Sequence, residues 1–178
     1  MKNIRGAPAP ILILSMIAAS LALAVRPAAP AGSLAVAVAV GLLGLLAPVP
    51  PSATGGAARP RWFAATALGI AATVTARAMQ HPVPPLPAGF AIFAIIAAVA
   101  EEVFFRRLLY GWLATCGPVV AIGGAAAVFA AIHIPAYGPS ALLVDFTAGL
   151  VFGWQRWATG TWSSPAVTHA TANLLQMG

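Results

Sequence analysis

The stretch from Ala97 to Leu113, AAVAEEVFFRRLLYGWL, places two adjacent glutamates and two adjacent arginines inside an otherwise apolar run. A charged side chain at the centre of a membrane helix costs about 2.5–3.5 kcal/mol on insertion scales. Charges in such a place are therefore retained mainly for function. Glu101 and Glu102 are two of only three acidic residues in the chain, and we expect the functional site to contain them.

The composition around this stretch indicates a membrane protein with several spans. Hydrophobic residues make up 61% of the chain and charged residues 7%, whereas about a quarter of a soluble domain is charged. The net charge of +6 could suggest nucleic-acid binding. The Lys and Arg residues are instead scattered at the edges of apolar runs, which is how topology-setting charges are placed. This pattern argues against a nucleic-acid partner.

Seven apolar runs, each near the roughly 20 residues that cross a bilayer, are separated by proline and glycine. They cover approximately residues 9–25, 31–49, 62–79, 88–113, 118–134, 139–157 and 162–176. None alternates as a transmembrane strand would, so we predict an all-α, polytopic transmembrane helical bundle with about seven membrane segments. Residues 1–87 should form a three-helix scaffold, in which Gly41, Gly44 and Gly69 allow close helix approach. Residues 88–178 should form a helical core that carries the functional site.

The placement of the basic residues favours a cytoplasmic N-terminus. The excess of Arg over Lys, with abundant Ala, Pro and Gly, indicates a bacterial chain and hence a bacterial cytoplasmic membrane. This orientation leaves only Arg26 and Arg77 outside and places the other seven of nine basic residues inside: Lys2, Arg5, Arg59, Arg61, Arg106, Arg107 and Arg156. The tryptophans then fall near inner helix ends, as interfacial anchors would: Trp62, Trp112, Trp154, Trp157 and Trp162. We expect the N-terminal run to be a retained helix rather than a cleaved signal peptide, because further apolar segments follow at once.

Helical geometry separates the roles of the two glutamates. Consecutive residues point about 100° apart, and Arg106 lies four residues after Glu102 on the same face. This pairing leaves Glu101 free, and a buried carboxylate beside a paired one suits a general base. Alternatively, both glutamates pair with Arg106 and Arg107 and only stabilise the helix.

Two further polar groups lie in later apolar runs. His133 follows Phe129 by four residues on the same helix face, and a lone histidine at a membrane helix end is usually a hydrogen-bonded structural residue. His169 and Asn173 are also spaced i, i+4, so their side chains point the same way. They could share a target or form hydrogen bonds between helices. Asp145 has no partner that the sequence identifies, so a cavity lining and an interhelical hydrogen bond remain open.

Read together, these residues resemble the three motifs of one protease family. Glu101-Glu102 with Arg106, Phe129 with His133, and His169 with Asn173 match EExxxR, FxxxH and HxxxN of the CPBP family. This family contains the CAAX proteases and bacteriocin-processing proteins, including the Ras-converting CAAX endopeptidase. The resemblance covers roughly residues 88–178, and the earlier helices match only as apolar spans.

The resemblance implies an intramembrane endopeptidase of the glutamate type that needs no cofactor or metal. In that mechanism Glu101 and His133 activate a water, His169 and Asn173 stabilise the oxyanion, and Arg106 holds Glu102. The partners would be membrane lipid and a membrane-associated protein or peptide. Nothing in the sequence identifies a prenyl pocket, so we expect a bacterial peptide or the C-terminal segment of a membrane-attached protein as substrate.

Two other classes of protein use similar residues. Glu101, His133 and His169 could hold a catalytic zinc ion and leave one position open, although no HExxH is present. A non-catalytic transporter or immunity-type binding protein would also carry membrane carboxylates and histidines, but the chain shows no internal repeat. The single cysteine, Cys116, excludes an internal disulfide and indicates a small packing residue.

Depth within the membrane gives a further prediction. At about 1.5 Å per residue, Glu101 lies roughly 20 Å from the outer end of the fourth segment, whereas His133 lies at the far end of the fifth. The two would meet only if the fifth segment does not cross fully. We therefore predict a buried, partly unwound turn over residues 134–139, beside a water-filled cavity opening inward. Glu101, His133 and His169 should then lie within one water-bridged contact of each other.

Overall fold

The computed structural model describes residues 10–26, 30–50, 59–79 and 88–176, and within these ranges every regular element is helical. This result confirms the all-α prediction. The expected domain boundary at residue 87 lies outside the described residues, as do Lys2 and Arg5. The α-helices are α1 (Pro10–Ala24), α2 (Pro30–Leu46), α3 (Arg59–Met79), α4 (Ala91–Glu102), α5 (Tyr110–Leu113), α6 (Pro118–Tyr137), α7 (Leu142–Thr159) and α8 (Ser163–Leu175).

Two of the described helices are long and apolar enough to cross a membrane, Pro60–Met79 and Pro118–Tyr137. The sequence predicted about seven such segments. Helices α1 and α2 are apolar but have only 15 and 17 residues. The fourth predicted segment is interrupted by its two charged pairs, and polar side chains lower the hydropathy of α7 and α8. The polar groups that indicate a functional site therefore also lower the mean hydropathy by which membrane-spanning helices are recognised.

The charged stretch continues without a break from α4 into a π-helix, Val103–Leu109, and then into α5. The wider turn of a π-helix is rare and occurs frequently at functional sites. Here it begins directly after Glu102, where α4 ends. Arg106 then points toward α7, where it approaches the carbonyl of Gly149 at 3.5 Å. Arg107 points toward α2 and donates to the carbonyls of Gly44 and Ala47. The two adjacent arginines thus contact different helices.

Gly117 sets the level at which the fourth and fifth predicted segments meet. It turns the chain with φ of 104°, a conformation that L side chains rarely adopt, and Pro118 begins α6 directly after it. Glu101 lies 16 residues before Gly117, and His133 lies 16 residues after it. At about 1.5 Å per residue both lie at one level, about 24 Å from the turn.

The predicted unwound turn over residues 134–139 is wrong. Helix α6 continues through Pro135 to Tyr137 and has 20 residues, enough to cross a membrane. Pro135 removes only one amide donor near the end of the helix, and the amide of Gly138 still bonds the carbonyl of Ile134 at 2.8 Å. Pro135, Ala136 and Tyr137 are exposed rather than buried. The depth prediction failed because it was measured from the outer end of α4 rather than from the shared turn at Gly117.

Helix α4 packs between α2 and α8. A Cβ added to Gly41 of α2 would lie 2.7 Å from the Cβ of Ala100, and one added to Gly44 would lie 2.8 Å from the Cα of Phe104. Both distances are shorter than real Cβ contacts, so the two backbones approach as the glycines predicted. Small residues of this kind drive helix association in lipid, where apolar area alone gives no advantage.

Helices α3, α7 and α8 are joined by buried polar side chains. Gln155 Nε2 donates to the carbonyl of Ala65 and to Thr168 Oγ1, both at 2.8 Å. A Cβ on Gly69 would clash with that Gln155 nitrogen, so the third predicted packing glycine also makes room for a neighbouring helix. At the end of the bundle that carries the tryptophans, Trp62 Nε1 donates to Ser163 Oγ at 3.0 Å.

Candidate active site

Glu101 is buried near the end of α4 and its two carboxylate oxygens have different partners. Oε1 accepts a hydrogen bond from Nη1 of Arg26, which follows α1. Oε2 lies 3.9 Å from Nε2 of His133 on α6. The expectation that Glu101 would be free is therefore wrong, because a cation from the predicted scaffold pairs with it. The expectation that it would lie beside His133 is met.

His133 is oriented by the backbone of its own helix. Its Nδ1 lies 2.7 Å from the carbonyl oxygen of Phe129. Since a carbonyl only accepts, Nδ1 carries the proton of this bond, and Nε2 is the acceptor of the neutral ring. The ring stacks on Tyr137 with centroids 5.8 Å apart and planes 15° apart. The four-residue spacing of Phe129 and His133 thus fixes which nitrogen faces Glu101.

Glu102 is fully buried and joins two elements. Its Oε2 lies 3.2 Å from Nε of Arg106, the partner that the i, i+4 spacing predicted. Its Oε1 accepts a hydrogen bond from Nδ1 of His169 at 3.0 Å. The sequence did not assign His169 to this carboxylate, since 67 residues separate the two.

Arg106 is fully buried among aromatic rings. Its guanidinium carbon lies 5.8 Å from the ring centroid of Phe105, 5.1 Å from that of Phe129 and 5.6 Å from that of Phe152. Ring faces attract cations, and they do so more strongly where water is excluded. The phenylalanines of α6 and α7 therefore help to stabilise the guanidinium charge that balances Glu102.

The two glutamates form two parallel arrangements. We name Arg26, Glu101 and His133 the open triad, and Arg106, Glu102 and His169 the closed triad. In the closed triad the carboxylate contacts its histidine directly at 3.0 Å. In the open triad the histidine lies 3.9 Å from the carboxylate, too far for a direct hydrogen bond. Each of the two adjacent glutamates thus contacts one arginine and faces one histidine. Only Glu101 is separated from its histidine by a gap.

Asn173 and His169 both contact α4, as their shared face on α8 indicated. Asn173 Nδ2 donates to the carbonyl of Ala94 at 3.2 Å, and His169 reaches Glu102. The ring of His169 also stacks on Phe152, with centroids 5.1 Å apart. Part of this pair's role is therefore to hold α8 against α4, the interhelical alternative that the sequence left open.

Two cavities meet at the histidines. The first has a volume of about 400 Å³ and contacts Arg26, Glu101 and Phe93. The second has a volume of about 550 Å³ and contacts Arg77, Asp145 and Phe152. Five residues line both cavities: His133, Tyr137, His169, Asn173 and Gln176. The gap of the open triad thus opens into a space large enough for several water molecules.

The first cavity lies at the end of the bundle where α4 begins and α8 ends, since Phe90 and Gln176 line it. The predicted orientation placed Arg26, another lining residue, outside the cell. A cavity opening inward and a cytoplasmic N-terminus therefore cannot both be right. Some of the charges behind that orientation also have other roles: Arg106 and Arg156 are buried, and Arg107 bonds α2.

Asp145 lies on the wall of the second cavity, which it shares with both histidines. Its Oδ2 is buried and has no hydrogen-bond partner among the described residues. Of the two alternatives left open by the sequence, the structure thus favours a cavity lining. Cys116 is exposed in the 3-10 turn that follows α5, so it does not serve as a packing residue.

Arg26 and Tyr137 belong to this site and were not predicted from the sequence. Arg26 is the more consequential of the two, because it contacts Glu101. It lies 75 residues from Glu101, and no periodicity links the two positions. A weak signal exists, because Arg26 ends an apolar helix in a chain with only three acids that could balance it. Tyr137 was missed for a different reason, since an exposed aromatic ring near a helix end resembles an ordinary anchor.

Among the described residues, no group of three His, Cys, Asp or Glu side chains is placed to hold a metal ion. The proposed zinc ligands Glu101, His133 and His169 do share the first cavity. However, Glu101 already contacts the Arg26 guanidinium, and a second cation beside it would be repelled. The Arg26 guanidinium thus already occupies one oxygen of a proposed zinc ligand.

Comparison with known proteins places these residues in a family. No curated protein and no solved structure matched this chain. A sequence model of the type II CAAX prenyl endopeptidase Rce1-like family matches residues 82–175. The match covers more than half of the chain and includes all of the predicted site residues but not Arg26. Proteins of this family are endopeptidases embedded in membranes. The chain belongs to the type II CAAX prenyl endopeptidase Rce1-like family.

Proposed function

We propose that this protein hydrolyses a peptide bond within the membrane by means of a water held between Glu101 and His133. The observation that carries the proposal is the gap of 3.9 Å between Glu101 Oε2 and His133 Nε2 on the wall of a cavity. Both atoms are acceptors when Glu101 is ionised and His133 is neutral. One water can therefore donate one proton to each of them.

The chemistry follows from this placement. As the water oxygen attacks the peptide carbonyl carbon, one of its protons passes to Glu101 or His133. The bond that forms is carbon to water oxygen, and the carbonyl electrons move to its oxygen as an oxyanion. When the carbon–nitrogen bond breaks, the same acid returns the proton to the leaving amine. A positioned acid–base group of this kind contributes typically about 10²–10⁴-fold to the rate.

His169 and Asn173 stabilise the oxyanion in this proposal. Both line the two cavities beside His133. One proton of the Asn173 amide is used on Ala94, and the second is free to donate. His169 donates from Nε2 when the ring is protonated, because Nδ1 already donates to Glu102. Removal of one such donor typically lowers kcat about 10²–10³-fold.

The closed triad holds this machinery in place rather than taking part in the proton transfer. Glu102 fixes the ring of His169, and Arg106 balances the charge of Glu102 in a site without access to solvent. A buried carboxylate needs such partners because isolated charge in an apolar environment is strongly unfavourable.

We propose that the substrate is a membrane-associated peptide with an apolar part, cleaved in a bacterial cytoplasmic membrane. A third cavity, of about 370 Å³, lies between α3 and α7. It is lined mainly by apolar side chains such as Leu143 and Val151, and it shares Thr73 and Phe152 with the second cavity. An apolar group placed there would leave the attached peptide beside His133 and His169.

The test is cleavage of fluorogenic peptides by the full chain reconstituted in nanodiscs. One peptide carries a farnesylated cysteine, and its control carries the same sequence without the lipid. Wild-type protein should cleave the lipidated peptide faster, Glu101→Gln should be inactive, and Gly123→Ala, which alters a site where a Cβ meets nothing within 4 Å, should match wild type.

Activity that persists in Glu101→Gln would overturn the mechanism. Activity lost on treatment with a chelator and restored by zinc would favour the metalloenzyme. A protein that binds these peptides without cleaving them would favour a non-catalytic binding role.

A further inference from the structure

We propose that Arg26 is a positioning residue of the active site, which holds Glu101 so that one carboxylate oxygen faces His133. This inference rests on the proposed function. It extends the site beyond residues 82–175, where the family match lies, to the segment that follows α1.

The first observation is that the two carboxylate oxygens of Glu101 have different partners. Nη1 of Arg26 binds Oε1, and Oε2 is the oxygen that faces His133. A carboxylate on a three-bond side chain can rotate, and rotation would exchange or misdirect these two oxygens. An arginine bound to one oxygen prevents that rotation. The contact therefore selects the orientation in which the gap to His133 exists.

The second observation is that Arg26 is the only cation in contact with Glu101 among the described residues. The nearby arginines have other partners: Arg106 binds Glu102, and Arg107 binds the carbonyls of α2. The side chain of Glu101 is only 4% exposed, and a water that entered the space left by Arg26 would supply no balancing charge. Without Arg26 the carboxylate would be left as an isolated charge or would take up a proton.

The third observation is the parallel with the closed triad. Arg106 contacts Oε2 of Glu102 and leaves Oε1 for His169. Arg26 contacts Oε1 of Glu101 and leaves Oε2 for His133. The same division of a carboxylate between an arginine and a histidine occurs at both glutamates. It produces a closed contact at one and an open gap at the other.

Arg26 also lines the first cavity, and its side chain is 16% exposed, which makes the contact open to chemical rescue. Replacing Arg26 with Ala removes the guanidinium and leaves a space that opens on the cavity. A guanidinium ion added to the solution can enter that space and bind the same carboxylate oxygen.

The experiment measures kcat and KM of nanodisc-reconstituted full chain for a peptide that wild type cleaves, with and without millimolar guanidinium. We expect Arg26→Ala to lower kcat about 10- to 100-fold, as a misplaced catalytic group does, with KM within about threefold of wild type, as expected when ground-state binding is kept. If the substitution lowers kcat 100-fold, added guanidinium should raise the kcat of Arg26→Ala at least tenfold. KM should stay unchanged. Arg26→Lys should retain more activity than Arg26→Ala.

Arg107→Ala is the matched control, because it also removes a partly buried arginine but one that bonds α2 outside the cavities. Guanidinium should not increase its activity. Thermal unfolding of each variant in the same nanodiscs identifies losses that reflect misfolding. If Arg26→Ala does not fold, kcat and KM of Arg26→Lys, which keeps the charge, are compared with those of wild type. A lowered kcat with KM nearly unchanged is again the expected result.

Three results would overturn the role of Arg26. They are an unchanged kcat in Arg26→Ala, a raised kcat, which would mean that Arg26 blocks Glu101, and a loss that guanidinium does not reverse in a folded variant. No cleavage by wild type itself would instead overturn the proposed function. The two failures are therefore distinguishable by the wild-type reaction.

Discussion

Oε1 of Glu102 lies 3.0 Å from Nδ1 of His169, and this contact joins α4 to α8 at a point where the carboxylate has no exposed surface. Arg106 is the only arginine or lysine that contacts Glu102 among the described residues. The closed triad is therefore a buried ion pair on which the placement of His169 depends.

The first prediction concerns this pair. Arg106→Ala should destabilise the protein by about 3–5 kcal/mol, because it leaves the Glu102 carboxylate buried without its cation. Activity should fall with stability as His169 loses its support. The measurement is thermal unfolding of purified protein together with cleavage rate, and Arg61→Ala, which removes an exposed arginine, is the control. A stable but inactive Arg106→Ala would instead place Arg106 in the catalytic machinery.

The second prediction concerns the open triad. Glu101→Gln and His133→Ala should each abolish cleavage, and the double variant should be little worse than either single one. Residues that act on one water as a unit show such non-additive effects. The readout is the single-turnover rate with enzyme in excess. Effects that multiply in the double variant would show that the two residues act independently.

The third prediction compares two glycines within helices. Gly41→Ala should lower stability by about 1–3 kcal/mol, because the added Cβ would lie 2.7 Å from Ala100 and force α2 from α4. Gly123→Ala in α6 should be neutral or stabilising by up to about 1 kcal/mol, since its Cβ meets nothing and alanine favours the helix. Thermal unfolding of both variants checks the difference. Equal shifts would mean that α2 does not pack on α4 as described.

The fourth prediction concerns Asp145. Asp145→Asn should keep or raise thermal stability, because a buried carboxylate oxygen without a partner costs about 1–3 kcal/mol or more. The substitution removes the charge at nearly constant side-chain volume. A marked loss of stability would show that Asp145 has a partner in the membrane, and co-purified cation would be sought next.

The fifth prediction tests orientation through the single cysteine. Cys116 is exposed beside Gly117, at the end of the bundle opposite the first cavity. With a cytoplasmic N-terminus, a membrane-impermeant maleimide should label Cys116 only after the cells are opened. Cys116→Ser provides the background. Labelling in intact spheroplasts would reverse the orientation and place the cavity on the cytoplasmic side.

Local spacing predicted the parts of the site that lie within one helix. The four-residue intervals predicted the Glu102–Arg106 pair and the common face of His169 and Asn173, whereas the hydrogen bond from His133 to the carbonyl of Phe129 was found only in the structure. Helical periodicity fixes such relations regardless of how helices pack. The sequence also contains the information that Glu101 and His133 lie at the same depth, because both are equally far from Gly117. That depth is predicted correctly only when it is measured from Gly117.

Relations between helices could not be predicted in this way. Whether Glu101 or Glu102 receives His169, and whether Arg26 reaches into the site, depends on crossing angles and on the π-helix that begins at Val103. That wider turn has no simple composition signal, and it changes the direction in which every later side chain points. The prediction of membrane orientation used all basic residues as topology signals. Arg26, Arg106 and Arg156, however, have partners inside the bundle.

The close contact between α2 and α4 has a consequence for how small a working version of this protein can be. The backbone of Gly44 lies against Phe104 and accepts a hydrogen bond from Arg107, and the α1 end contributes Arg26. A fragment limited to the matched residues 82–175 would carry all three motifs yet lack one wall of its own cleft. Expression of that fragment should give no activity, whereas co-expression with residues 1–81 as a separate chain should restore it. The smallest fragment that can form this site therefore extends beyond the matched residues.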